Sequence, residues 1–175
     1  MASGAADRVV RSLMRVFGEE RAGLVLLLSG FLLSIPVFFD TVFFLLIPLA
    51  RALALRTGKN YTFYVIAMAG AGAITHSMVP PTPGPLAMAA ILGIDLGVMI
   101  IVGACLAVPM SFVGWLFARN RDRVMNVPLR ETAGLSLSEL EKLASREEKE
   151  LPSFFMSMLP IVLPVLLITS NTIVS

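Results

Sequence analysis

Four stretches of this sequence carry almost no charge. Residues 22–50 contain only Asp40, and residues 60–94, 96–118 and 151–175 contain no formal charge at all. Uncharged apolar runs of this length read as helices that cross a bilayer. The first run does not fit a single straight span. As one helix its 29 residues would be roughly 43 Å long against a ~30 Å hydrocarbon core. Pro36 and Pro48 weaken it, and Ser34, Asp40 and Thr41 put polar groups near its middle. A single crossing would also place the basic flanks Arg8 to Arg21 and Arg51 to Lys59 on opposite sides, against the positive-inside tendency. The pattern therefore predicts a re-entrant hairpin over 23–55, with its tip near Phe39, Asp40 and Thr41 and arms at 23–38 and 42–55.

The second run predicts a broken helix over 61–94. It enters from Tyr61 through Ile74, breaks across His76 to Gly84, and leaves as a shorter helix from Pro85 toward Gly93. Pro80, Pro81, Pro83, Gly84 and Pro85 cannot continue a helix, because proline lacks an amide hydrogen and its ring clashes with the preceding turn. Lipid cannot hydrogen-bond the peptide groups that the break frees, so such a segment must be buried in protein or line a polar cavity. Residues 96–118 form a transmembrane helix kinked at Pro109, which returns the chain to the basic side at Arg119. A cytoplasmic linker follows over 119–150, with a short helix over 136–150, and 151–175 opens a further transmembrane segment. Residues 1–22 read as an Arg-rich cytoplasmic interfacial helix and not as a cleavable signal peptide.

Composition agrees with this reading. Of 175 residues, 57% are hydrophobic and 15% charged, and the mean hydropathy is +0.84. The fold class is all-α and polytopic, and the location a cell (inner) membrane. The fourteen Lys and Arg cluster in loop positions that set topology and leave no nucleic-acid footprint. One cysteine, Cys105, allows no disulfide framework, and no residue pattern suggests a metal or cofactor.

The candidate chemistry lies at the two non-helical centres. Asp40 is the one acid inside an apolar run. At mid-depth desolvation favours its neutral form, so it would bind and release a proton; at an interface it would be an ordinary turn or cap. His76, the one histidine, suits a proton relay or an anion contact, or else a neutral imidazole satisfying a freed carbonyl. Thr41, Thr75, Ser77 and Thr82 suit hydrogen bonds to a polyol or carboxylate, with back-bonding to their own helix as the alternative. Two broken elements facing each other at mid-membrane is the arrangement of a transporter repeat.

The segment His76-Ser-Met-Val-Pro-Pro-Thr-Pro-Gly-Pro85 resembles the His-Gly-Phe-Leu-Pro-Pro-His-Pro-Gly-Pro signature of the gluconate permease family of proton symporters, within the larger ion-transporter superfamily. Phe38-Phe-Asp-Thr-Val-Phe-Phe-Leu-Leu-Ile-Pro48 resembles its other signature, an acidic residue followed by an apolar run and Leu-x-Pro. Glu147 to Phe154 resembles the end of its central loop. The resemblance covers about Ser3 to Leu167. Thr82 stands where the family often has a second histidine, and Ser77 where it often has glycine. The family is more than twice this length, so the chain looks like an internal portion.

The resemblance implies an inverted-repeat fold and import of gluconate or a related sugar acid with protons. The implied partners are that anion, the proton, the bilayer, and the remainder of the transporter or a homo-oligomer. Three other readings compete. Sodium could replace the proton, an intramembrane hydrolase could use Asp40 with Asp95 or His76, and a non-transporting membrane subunit would suit the short chain.

Overall fold

A computed structural model describes residues 5–58, 61–125, 127 and 152–174. They form seven α-helices: α1 (Ala5–Phe17), α2 (Ala22–Leu33), α3 (Phe39–Thr57), α4 (Tyr61–Met78), α5 (Pro83–Leu92), α6 (Leu96–Val124) and α7 (Phe154–Val174). A single 3-10 turn, Glu19–Arg21, joins α1 to α2. Two stretches, 61–92 and 96–124, are long and apolar enough to cross a membrane.

Local chemistry sets most boundaries. Gly58 and Gly93 end α3 and α5 at φ 69° and 64°, the left-handed region that a side chain disfavours. Asp95 then starts α6, its carboxylate accepting from the Val98 amide at 3.0 Å. Thr82 is extended, as a residue before proline prefers, and Pro83 occupies the first turn of α5, where its missing amide costs nothing. Pro109 lies inside α6, which stays helical through it and past Ala118 to Val124.

The pairing of α2, α4 and α6 follows from glycines at which the backbones approach closely. Gly30 of α2 has no room for a methyl group against the Met68 carbonyl of α4, and Gly103 of α6 has none against the Met78 carbonyl. Small residues of this kind let membrane helices pack backbone to backbone. Gly23 lies against Phe63, and the Phe63 amide donates to the Asp122 carboxylate at 3.1 Å. At the other end, Gly72 lies against Ser34. Helix α4 is thus parallel to α2 and antiparallel to α6. The Arg56–Glu19 ion pair brings the end of α3 back to the start of α2, so the two helices run in opposite directions.

Between them the chain turns at 34–38, where Pro36 falls. The predicted hairpin tip at Phe39 to Thr41 is therefore displaced: those residues already belong to the first turn of α3. The predicted interruption of the second run is shorter than expected, 79–82, because α4 continues through His76 to Met78 and Pro83, Gly84 and Pro85 already form the first turn of α5, where a missing amide is tolerated. The main apolar core joins Val9 and Val10 of α1, Val25 and Leu26 of α2, Leu46 and Ala50 of α3, and Tyr64 and Met68 of α4. The helix predicted over 136–150 lies outside the described residues.

Candidate functional site at the helix interruption

The turn at 34–38 and the interruption at 79–82 meet at the end of α4. The Phe38 and His76 rings are 5.7 Å apart and tilted by 51°. One turn earlier on α4, a methyl group on Gly72 would lie 2.9 Å from the Ser34 hydroxyl and 3.1 Å from the Phe39 ring. Phe38 and Phe39 therefore straddle the face that carries Gly72 and His76, four residues apart.

Within the interruption the freed carbonyls have a partner. The Thr82 hydroxyl donates to the His76 carbonyl oxygen at 2.7 Å and lies 2.9 Å from that of Val79. The Val79 amide still reaches the Thr75 carbonyl at 2.9 Å, closing the last turn of α4, and the Leu86 amide reaches Thr82 at 3.1 Å. Pro80 and Pro85 are buried, Pro81 is half-buried, and Pro83 and Gly84 are exposed. The Pro80–Pro81 peptide bond is cis.

The remaining predicted residues divide by environment. Asp40 and Thr41 are exposed in the first turn of α3, where the helix dipole favours a carboxylate. Thr75 is buried, and its hydroxyl donates to the Ala71 carbonyl at 2.9 Å, leaving only lone pairs for any other contact. Ser77 is exposed. His76 is half-buried, with its Nδ1 enclosed and without a hydrogen-bond partner among the described residues.

Ser34, read from the sequence only as a polar group near the middle of the first run, also belongs to this site. It is fully buried and its hydroxyl is likewise unpartnered among the described residues. Only the close approach of Gly72, a long-range contact, distinguishes it from any other serine in an apolar run. Among the described residues no group of three metal-ligating side chains gathers. Asp95 is engaged as the cap of α6, about 12 Å along the helix beyond Gly103, which itself packs at the level of Met78. That placement offers Asp40 no second acid for a hydrolytic pair.

A profile of the GntP family permeases matches residues 1–175. The chain belongs to this family. It is 38% identical over 98% of its length to an "Uncharacterized permease" of Haemophilus influenzae, of which it covers 36%. It is 36% identical over 97% of its length to a "Gluconate permease" of Pseudomonas aeruginosa, covering 37% of that protein. The "Gnt-II system L-idonate transporter" of Escherichia coli is 32% identical over 94% of the chain, with 36% of its own length covered. The chain thus spans little more than a third of the curated relatives it matches. No solved structure matches it. Membership of a permease family, together with the two apolar spans, makes this a membrane protein and not an enzyme.

Proposed function

We propose that the chain supplies one half-site of a secondary active transporter that imports gluconate or a related sugar acid by proton symport. The observation that carries this reading is the contact of Phe38, in the turn at 34–38, with His76, in the last turn of α4 directly before the interruption at 79–82. Transporters place substrate where interrupted helices face each other, because freed backbone groups and helix termini there remain available to a ligand. Two relatives support the substrate class by name, one a gluconate permease and one an L-idonate transporter.

In this account α2 and α3 are the arms of a re-entrant hairpin. At 12 residues α2 is about 18 Å long, short of a ~30 Å core. Its end packs beside the end of α4, whose neighbour on α6, Gly103, lies about 10 Å inside the start of that helix. Helices α4 and α5 are then the two parts of one broken span over 61–94. A second, inverted repeat in the longer protein would supply the other half-site, as would a second copy in a homo-oligomer.

The residues take different parts. Asp40, exposed at the start of α3, takes and releases the coupling proton. His76 and Ser77 face the sugar acid, and the first-turn amides of α3 beside Thr41 add donors for its carboxylate. Pro83 and Pro85 remove such donors from α5, so the anion is held from the α3 side. Thr75 and Thr82 act as acceptors for substrate hydroxyls while donating to the backbone.

The test is uptake of labelled gluconate and L-idonate into vesicles holding the longer protein, with either a proton or a sodium gradient imposed. Uptake that follows the pH gradient without sodium is the expected result. Uptake that follows sodium at constant pH would replace the proton as coupling ion, and no uptake under either gradient would leave a non-transporting membrane subunit.

A further inference from the structure

Away from the helix interruption, α2 and α6 border a half-open cavity of about 410 Å³ lined by Leu24, Leu27, Leu28 and Phe31 on one side and Val108, Ser111, Phe112 and Trp115 on the other. Its walls are apolar except for two groups. The Ser111 hydroxyl and the Trp115 indole Nε1 are both enclosed and both without a hydrogen-bond partner among the described residues. Ser111 is 3% exposed. Other buried helical hydroxyls, those of Ser29, Thr75 and Ser157, donate to the carbonyl four residues back. Ser111 does not. A buried hydroxyl or indole N–H left unpaired is costly, so two of them bordering one cavity point to an occupant with an acceptor oxygen.

The next turn of α6 narrows the chemistry. Ser111, Trp115 and Arg119 follow at intervals of four residues, about 6 Å apart along one face. The Arg119 guanidinium lies over the Trp115 ring, 5.6 Å from its centre, and is exposed. This end of α6 is also the Arg21 end of α2, since Gly23 packs on Phe63 and Phe63 binds Asp122. A charge, an indole donor and an apolar cavity, in that order from the basic end inward, match the order of phosphate, ester and acyl chain in a phospholipid.

We infer that the α2–α6 cavity is a binding site for an anionic glycerophospholipid. The phosphate pairs with Arg119, the two ester carbonyls accept from Trp115 Nε1–H and from the Ser111 hydroxyl, and one acyl chain runs past Val108 along Leu27, Leu28 and Phe31. The inference uses the membrane reading of the chain and is independent of which solute is carried. A lipid seated there would hold α2, the first arm of the hairpin, against α6.

Trp115 is the one tryptophan of this sequence, so with any tryptophan in the rest of the longer protein replaced by phenylalanine its fluorescence reports this site. The experiment reconstitutes the protein in phosphatidylcholine vesicles with small fractions of phosphatidylglycerol or phosphatidylcholine brominated on an acyl chain. Brominated phosphatidylglycerol should quench Trp115 saturably, with a preference of roughly fivefold over brominated phosphatidylcholine, the effect of one basic residue near an anionic headgroup. Arg119→Gln, at an exposed position, should erase the headgroup preference and keep the acyl quenching. Leu28→Phe, which fills the cavity, should reduce quenching by both lipids, with far-UV circular dichroism checking its fold. Equal quenching by both headgroups, rising in proportion to bromolipid and unchanged in Leu28→Phe, would mean ordinary surrounding lipid and overturn the site. No quenching at all would overturn it too, by showing that protein covers the cavity.

Discussion

The Phe38 and His76 rings lie 5.7 Å apart and join the turn after α2 to the last turn of α4. That contact ties the turn at 34–38 to the helix end that precedes the interruption, and His76 is held by it on one side while its Nδ1 has no protein partner among the described residues. Replacing Phe38 with Ala should free the imidazole and weaken sugar-acid binding by about two- to tenfold, the range of an aromatic pair. Phe38→Tyr should bind almost normally. Titration calorimetry on the longer protein measures both, and unchanged affinity in Phe38→Ala would detach this contact from the site.

Thr82 closes the interruption from inside. Thr82→Val keeps the shape but leaves the His76 and Val79 carbonyls without their hydroxyl partner, at a cost of about 1–3 kcal/mol. Thermal unfolding in detergent should show a lower midpoint for Thr82→Val and a near-native one for Thr82→Ser. A Thr82→Val protein as stable as the parent would mean that the carbonyls find other partners.

Close helix packing makes an independent forecast. Gly30→Ala and Gly103→Ala push a methyl group into backbone atoms of α4, which cannot yield as a side chain would, and each should destabilise by about 1–3 kcal/mol. Gly70, also helical but facing open space, is the control: Gly70→Ala should be neutral or stabilising. Thermal scans of the three variants side by side decide the matter.

Asp40→Asn keeps the side-chain shape and removes the titratable proton. In the longer protein it should abolish uptake driven by a pH gradient while sparing exchange of labelled for unlabelled sugar acid. Gradient-driven uptake that survives the substitution would remove Asp40 from the coupling step.

The sequence carried the strongest structural signals where the backbone itself forbids helix. The proline cluster marks the interruption within a few residues, and Gly58, Gly93 and Asp95 punctuate the helices by local chemistry alone. The turn after α2 was less legible. Its polar neighbours Asp40 and Thr41 suggested a tip, yet an acid in a first helical turn is as well explained by the dipole of α3, and Pro36 was the better marker. Helix α6 outran its apolar run because Arg119, Arg121 and Arg123 favour helix and the Asp122 carboxylate gains the Phe63 amide. Ser34 against Gly72, Thr82 across the interruption, and the unpartnered Ser111 and Trp115 depend on which helices meet, and one chain without its fold does not say which do.

The start of α3, where Asp40 and Thr41 are exposed, is proposed to face a site that sugar acid covers. The direct measurement is labelling of Thr41→Cys, with Cys105 and any other cysteine of the longer protein replaced by alanine, by a membrane-impermeant thiol reagent added from either side of vesicles holding that protein. Labelling that gluconate or L-idonate slows, and that an unrelated neutral solute leaves alone, is the expected result. A cysteine that stays unlabelled from both sides, or one labelled at the same rate whatever sugar acid is present, would contradict it.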